Sequence, residues 1–327
     1  MAELPKCFAL INRNDSLRRE STSGGAFTML ASIVIKQGGI VCGAMFTEGV
    51  SSVAHRCVES LEGLRPLRKS KYVESDASLA IKSCHEALLA GRKVFFVGTP
   101  CQVAALRQVS GNPDSLLTCD LVCHGVPRLE LWQSYLSYLE DRVGGKVVKV
   151  DFRSKRWGWN LSKTEFVFDN GSIQSYVSAN DPYMYAFYRG YSLRSSCLHC
   201  TALKQQRPGD LTLGDCWHIG RYCKSMDDNK GTSLVLVNTV KGDDFLRTAI
   251  GTSMVNIRPY PYEMAKMNNN ALSRPASVDL NVRADFDRKM LTGDNSFWGQ
   301  IVPHKDSIRN NVVYAAKCIL CGLRIPI

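Results

Sequence analysis

Residues 93–127, KVFFVGTPCQVAALRQVSGNPDSLLTCDLVCHGVP, carry the reading that decides the fold. Lys93-Val-Phe-Phe-Val97 is a continuous apolar run, the pattern of a strand buried on both faces. Gly98-Thr99-Pro100 turns the chain into a helix predicted from Cys101 to Val109, with Pro100 early enough that its missing amide proton costs little. A second strand is expected from Leu116 to Cys123, ending at His124-Gly125-Val126-Pro127. Strand, helix and strand in this order build a parallel sheet. The strand ends at Gly98 and Cys123 then share its carboxyl edge, where open α/β folds bind ligands.

The same alternation extends outward. Upstream, Ser23-Gly24-Gly25 precedes an apolar-periodic helix, Ala26 to Lys36. Gly38-Gly39 ends it, and IVCGAMF (40–46) reads as a strand. A polar stretch with helical spacing, Ser60 to Leu67, and a helix from Ala77 to Ala90 follow, and Gly91 closes the latter. Downstream, a helix is predicted from Leu129 to Arg142. After Gly144-Gly145 the pattern changes to short alternating strands at 147–152, 164–168 and 173–177, with Asp169-Asn170-Gly171 as a hairpin turn. A polar loop from Lys204 to Asp210, strands at 211–213 and 233–237 and a helix from Lys241 to Ile250 complete this part. The expected fold is α/β: a mainly parallel sheet with flanking helices plus a smaller antiparallel β-rich region. The parts are an α/β portion at 1–143, a β-rich portion at 144–258 and a basic peripheral extension at 259–327.

The chain has 327 residues, 45% hydrophobic and 22% charged, the composition of a soluble globular protein. No apolar run reaches the roughly 20 residues that span a bilayer. The start, MAELPKCFALINRND, lacks the basic region and apolar core of a secretory signal, so a cytoplasmic location is expected. The formal charge of +11 is dispersed, with short clusters at 65–69 and 153–156 and no basic stripe interleaved with aromatics. That argues against nucleic acid and suits anionic cofactors, acidic partner proteins or a membrane surface equally well.

Thirteen cysteines are many for a reduced compartment, and their irregular spacing makes no disulfide framework. Cys42, Cys57, Cys84 and Cys119 fall in apolar or helical patterns and read as small buried residues. Cys101 and Cys123 stand where an apolar run gives way to turn chemistry. Cys197-Leu-His-Cys200 has the gap that lets two thiolates share one metal or cluster. Zinc is the rival occupant of these four, although structural zinc usually shows two close pairs. Cys123 and His124 are neighbours on an extended segment, where side chains point to opposite faces, which disfavours a nucleophile–base dyad. Ser23-Gly24-Gly25 before a helix is a small candidate phosphate cradle. Asp215-Cys-Trp-His218 ends a strand and offers either metal ligands or plain packing. Cys318 and Cys321 lie in an apolar terminal run and read as packing or a contact surface.

Nine stretches occur in one order: STSGGAFTML (21–30), IVCGAMF (40–46), LRKSKYVESD (67–76), VFFVGTPCQVAAL (94–106), LLTCDLVCHGVP (116–127), VDFRSKRWGW (150–159), SCLHC (196–200), DLTLGDCWHIG (210–220) and NKGTSLVLVN (229–238). Together they resemble the beta subunit of the coenzyme F420 (deazaflavin) hydrogenase and dehydrogenase family. The resemblance implies a flavoprotein that binds FAD and one [4Fe–4S] cluster and passes electrons to a small-molecule or deazaflavin-like acceptor. It implies Cys101, Cys123, Cys197 and Cys200 as cluster ligands, with Asp215 in reserve. It places Ser23, Gly24, Gly25, Lys71, Thr99 and Gln102 near the flavin, and His124 is a candidate proton donor. Many relatives begin with a ferredoxin-like segment bearing CxxCxxCxxxCP runs, whereas only Cys7 precedes the SGG turn here. The electron path is therefore expected to continue into a ferredoxin-like or other electron-transfer protein. A zinc-stabilised binding protein and a transferase of glycan metabolism on the same fold remain as alternative classes.

Overall fold

The computed structural model describes residues 5–202, 206–251 and 254–322. Its strands are β1 (Lys6–Asn12), β2 (Ile40–Thr47), β3 (Ser52–Val58), β4 (Ser75–Asp76), β5 (Val94–Gly98), β6 (Leu116–Leu121), β7 (Val147–Ser154), β8 (Lys163–Phe168), β9 (Ile173–Val177), β10 (Leu211–Asp215), β11 (Ser233–Val237) and β12 (Val255–Pro259). Nine form one sheet in the order β12-β1-β11-β10-β6-β5-β2-β3-β4, and β7-β8-β9 form a separate antiparallel sheet. The centre of the large sheet, β2-β5-β6-β10, is parallel. Antiparallel pairings flank it: β2 with β3 on one side, and β10-β11-β1-β12 on the other. The architecture is the α/β sheet expected, with its small antiparallel companion.

β5 shows why the apolar run had to be central. Phe95 and Val97 enter one core with Leu10, Met29, Leu30 and Leu246, beneath the helices Ala26–Lys36 and Val240–Gly251. Val94 and Phe96 enter another with Ala80, Cys84, Val103 and Leu106, beneath the helices Ser78–Leu89 and Pro100–Ser110. A strand covered by helices on both faces has no polar face, so its residues do not alternate.

Direction along the sheet sets the site. Two successive antiparallel steps, β10 to β11 to β1, leave β1 running with the parallel group. The ends of β1, β5, β6 and β10 therefore lie on one edge. That edge gathers the SGG turn after β1, Gly98-Thr99 after β5, Val122-Cys123 after β6 and Cys216-Trp217 after β10.

A third core fills the space between the helix Leu129–Val143, the small sheet and the later helices. It holds Trp132, Tyr135, Phe152, Phe166, Tyr183, Phe286, Phe297 and Trp298. Trp298 is fully buried, with its ring 5.0 Å from Tyr135 and 4.9 Å from Phe297. Residues beyond 259 thus supply part of a core as well as surface.

Several sequence expectations change. β6 stops at Leu121: Val122 N donates the last rung of the parallel pairing, to Leu213 O on β10 (2.8 Å), and Cys123 sits in the following loop. The predicted helical stretch at 60–67 contains one turn, Glu62–Leu64. β1, β3 and β12 were not anticipated. Of the polar loop from Lys204 to Asp210, positions 204 and 205 lie outside the described residues. The terminal run holding Cys318 and Cys321 is the helix His304–Gly322, which lies on the surface, tied down by Asn310 Nδ2 to Ala179 O (2.9 Å) and Tyr314 Oη to Leu161 O (3.3 Å), with no residue buried and Cys318 exposed. Among the described residues, no helix is long and apolar enough to cross a membrane.

Candidate functional site

Thr99 starts the helix after β5 with a reciprocal cap: its backbone amide donates to Gln102 Oε1 (3.0 Å) and its side chain accepts from the Gln102 backbone, while Gln102 Nε2 donates to Ser75 O (3.1 Å). Pro100 occupies the first helical position, so Cys101 projects exposed from the first turn, its Sγ 3.1 Å from Thr99 Oγ1. The loop after β6 is clasped by the segment around 193. Arg194 N donates to Val126 O (2.9 Å), Pro127 bridges Leu193, and Val126 N donates to Cys197 Sγ (3.3 Å). Gly125 takes φ +142° with Leu193 pressed where a side chain would stand, at 2.7 Å. The one-turn helix Ser195–Leu198 and the residues after it then place Cys197 and Cys200 opposite Cys101 and Cys123.

The result is one hollow lined by Pro100, Cys101, Cys123, His124, Gly125, Val126, Cys197 and Cys200, with about 350 Å³ of empty space including its open mouth. Burial pushes the Cys123 thiol up to about 12, with Cys101 nearby adding to the effect. Burial also raises Cys197. Among the described residues, one group of three or more Cys, His, Asp or Glu has all its ligand atoms within 4.8 Å of one another, and it is Cys42, Cys57 and Cys84. The four sulfurs of the hollow are therefore spread more widely. A single tetrahedral zinc, with bonds of about 2.3 Å, needs sulfurs about 3.8 Å apart.

His124 lies at the wall of the hollow, its ring edge-on to Phe187 at 5.0 Å. Burial lowers its pKa against hydrogen bonds to the backbone at Phe187 and Tyr188. Its Nε2 is buried without a hydrogen-bond partner.

The remaining predicted residues stand elsewhere on the same edge. Ser23 Oγ donates to Thr232 O (2.7 Å), and Gly24 N donates to Ser233 Oγ (2.9 Å). Gly25, at φ +87°, caps the helix Ala26–Lys36 without a side chain of its own, and Ser233 Oγ accepts from Ala26 N at 3.5 Å. Lys71 donates to Pro66 O (2.8 Å), and burial pushes its ammonium down to about 7, helped by Lys69. Ser70 N donates to Thr22 Oγ1 (2.8 Å), which joins the Lys71 loop to the SGG turn. Asp215 does not line the hollow; its carboxylate accepts from Arg153 Nη1 at 3.1 Å.

Some participants were not singled out by sequence. Arg153 lies 4.9 Å over the Trp217 ring, which stacks on Trp159 at 4.7 Å and 7°. Arg153 Nη2 and Trp159 Nε1 are buried without hydrogen-bond partners. Lys155 Nζ donates to the carbonyls of Arg18 (2.9 Å), Ser23 (2.6 Å) and Lys230 (2.8 Å), pinning this stretch to the SGG turn. The short basic cluster at 153–156 was the available signal.

An α/β sheet with four cysteines from three segments gathered at its carboxyl edge, beside a glycine turn and buried cations, defines a class of site suited to a thiolate-ligated centre. Over residues 91–262, just over half its length, the chain matches the family described as the C terminus of the coenzyme F420 hydrogenase/dehydrogenase beta subunit, and it belongs to that family. No curated protein of similar sequence was found. Among solved structures, a chain of the F420-reducing [NiFe] hydrogenase complex from Methanosarcina barkeri is similar, with a TM-score of 0.58 and 17% identity over 88% of this chain and 92% of that one. At that identity the likeness is one of fold.

Proposed function

We propose that this protein is a flavin- and iron–sulfur-dependent oxidoreductase that passes electrons between a [4Fe–4S] cluster, FAD and a small-molecule or deazaflavin-like acceptor. The observation that carries the reading is the convergence of Cys101, Cys123, Cys197 and Cys200 on one hollow. The donor set fits the group: four sulfurs are what a four-iron cluster takes, and their spread exceeds that of a single zinc site. The buried donors Arg153 Nη2 and Trp159 Nε1, with Lys71, fit an anionic cofactor along the same edge. When bound, the flavin supplies exchange between two-electron and one-electron chemistry and the cluster takes electrons singly.

The chain's own groups have definable tasks. Cys123 and Cys197 are protonated as free thiols in this buried wall, and ligation to iron is what holds them as thiolates. Cys101, exposed at a helix start, is the sulfur nearest solvent and lies under the positive end of the helix dipole. Burial favours the neutral form of His124, and its unpartnered Nε2 is the atom that accepts or returns a proton. Lys71 and Arg153 orient an anion and offset its charge. The similarity to a chain of a hydrogenase complex supports a protein electron-transfer partner.

The test is purification without air, followed by iron, acid-labile sulfide and flavin analysis with a visible spectrum. The expected result is about four irons and a bound flavin per chain, with bleaching on reduction. A colourless protein holding stoichiometric zinc and no flavin contradicts the reading.

A further inference from the structure

A second group of sulfurs lies on the opposite side of β5, away from the hollow. Cys42 on β2 and Cys57 on β3 are direct partners across the antiparallel pair, so their side chains leave the same face. The helix Ser78–Leu89 crosses that face and lowers Cys84 onto them. All three Sγ atoms lie within 4.8 Å of one another, with Cys57 and Cys84 at 3.6 Å. Trigonal coordination with metal–thiolate bonds of about 2.3 Å places sulfurs about 4.0 Å apart. The trio already has nearly that spacing.

We infer that Cys42, Cys57 and Cys84 form a three-sulfur binding site for a soft closed-shell metal ion, Cu(I). The ligand type selects the metal class, because thiolates favour Cu(I) among the available soft ions. The surroundings select within the class. Zinc seeks a fourth ligand, and the nearby histidines are engaged elsewhere: His55 has Nδ1 at 2.8 Å from Ser75 Oγ and Nε2 at 3.1 Å from Val97 O, and His85 Nδ1 is 3.2 Å from Ser110 Oγ. Cys42 and Cys84 pack among Ile40, Ala80, Ala87 and Phe96, and the Glu59 carboxylate near Cys57 is held by Arg92 Nη1 and Nη2 (3.0 and 2.8 Å). Cu(I) is satisfied by three sulfurs, and the apolar wall around Cys42 and Cys84 keeps water from that side. Cys42 and Cys84 are fully buried while Cys57 is half-exposed, which gives the ion a way in. Binding releases thiol protons to solvent and needs no oxidant.

The test is a Cu(I) titration of the full-length protein, without air, against a Cu(I)-chelating competitor, on the wild type and on Cys57→Ser. The quantity read is the difference between the two, so the ten cysteines outside the trio, shared by both proteins, cancel. The inference expects the wild type to hold one more equivalent than the variant, with an affinity at least tenfold above any the variant retains. Equal binding by both proteins overturns it, as does preferential retention of one Zn(II) by the wild type. If Cys57→Ser does not fold, copper X-ray absorption on the wild type loaded with one equivalent decides. Three sulfurs in the first shell with no iron neighbour are expected. Nitrogen or oxygen in that shell, or a nearby iron, refutes the site.

Discussion

Gly24→Ala is the perturbation whose outcome the structure determines most tightly. A Cβ at this position would stand 2.2 Å from Leu10 O and 2.5 Å from Ser233 N, both backbone atoms of paired strands. Carbon–oxygen approaches below about 3.3 Å are repulsive, so the turn must retreat by about 1 Å. That retreat breaks two hydrogen bonds, Asn12 N to Gly24 O (2.8 Å) and Gly24 N to Ser233 Oγ (2.9 Å). Each is worth about 1 kcal/mol net, and overpacking adds about 1–3 kcal/mol. The expected loss is about 3–5 kcal/mol, a large share of the roughly 5–15 kcal/mol that keeps a domain folded. Equilibrium urea unfolding followed by tryptophan fluorescence measures it. Gly251→Ala is the control: it ends a surface helix with nothing within 4 Å, and a change within about 1 kcal/mol is expected. A Gly24→Ala midpoint equal to that of the wild type would refute the close packing of the SGG turn under β1 and β11.

Two further outcomes follow from burial. Trp298→Ala empties a site enclosed by Tyr135, Tyr183, Phe286 and Phe297, and should cost about 3–5 kcal/mol in the same unfolding assay; a surface-like change under about 1 kcal/mol would mean that residues beyond 259 do not complete this core. Burial pushes the Asp181 carboxyl up to about 7 against its hydrogen bonds from Tyr135 Oη (2.7 Å) and Met184 N (2.8 Å). Unfolded, it titrates near its ordinary value of about 4. The folded chain therefore binds the extra proton between these values, and this residue's contribution to stability falls as pH rises from about 4 to about 7. Asp181→Asn should flatten that part of the pH–stability curve, and an unchanged slope would contradict the buried, protonated carboxyl.

What was legible in the sequence follows from burial geometry. Val94–Val97 announced itself because a strand covered on both faces carries only apolar residues. β3, with SVAHRCV, and β12, with VNIRP, alternate or carry exposed polar residues near the margins of the sheet, so their runs do not stand out from loop. Cys101, Cys123 and the Cys197–Cys200 pair were readable as candidates from the turn chemistry beside them. Their meeting depends on parallel strand direction and on the clasp between Val126 and Arg194, neither of which is encoded locally. Cys42, Cys57 and Cys84 each read as a small buried residue, and each is at least partly buried. Only the β2–β3 register and the seat of the helix Ser78–Leu89 show that their sulfurs converge.

The central claim is that sulfurs from three separate segments hold one iron–sulfur cluster. Iron and acid-labile sulfide per chain, measured on the wild type, Cys197→Ser and Cys318→Ser after purification without air, test it most directly. The account predicts about four irons in the wild type and in Cys318→Ser, whose cysteine lies on the exposed terminal helix, with loss of most iron and visible absorbance in Cys197→Ser. Full iron content in Cys197→Ser would contradict it.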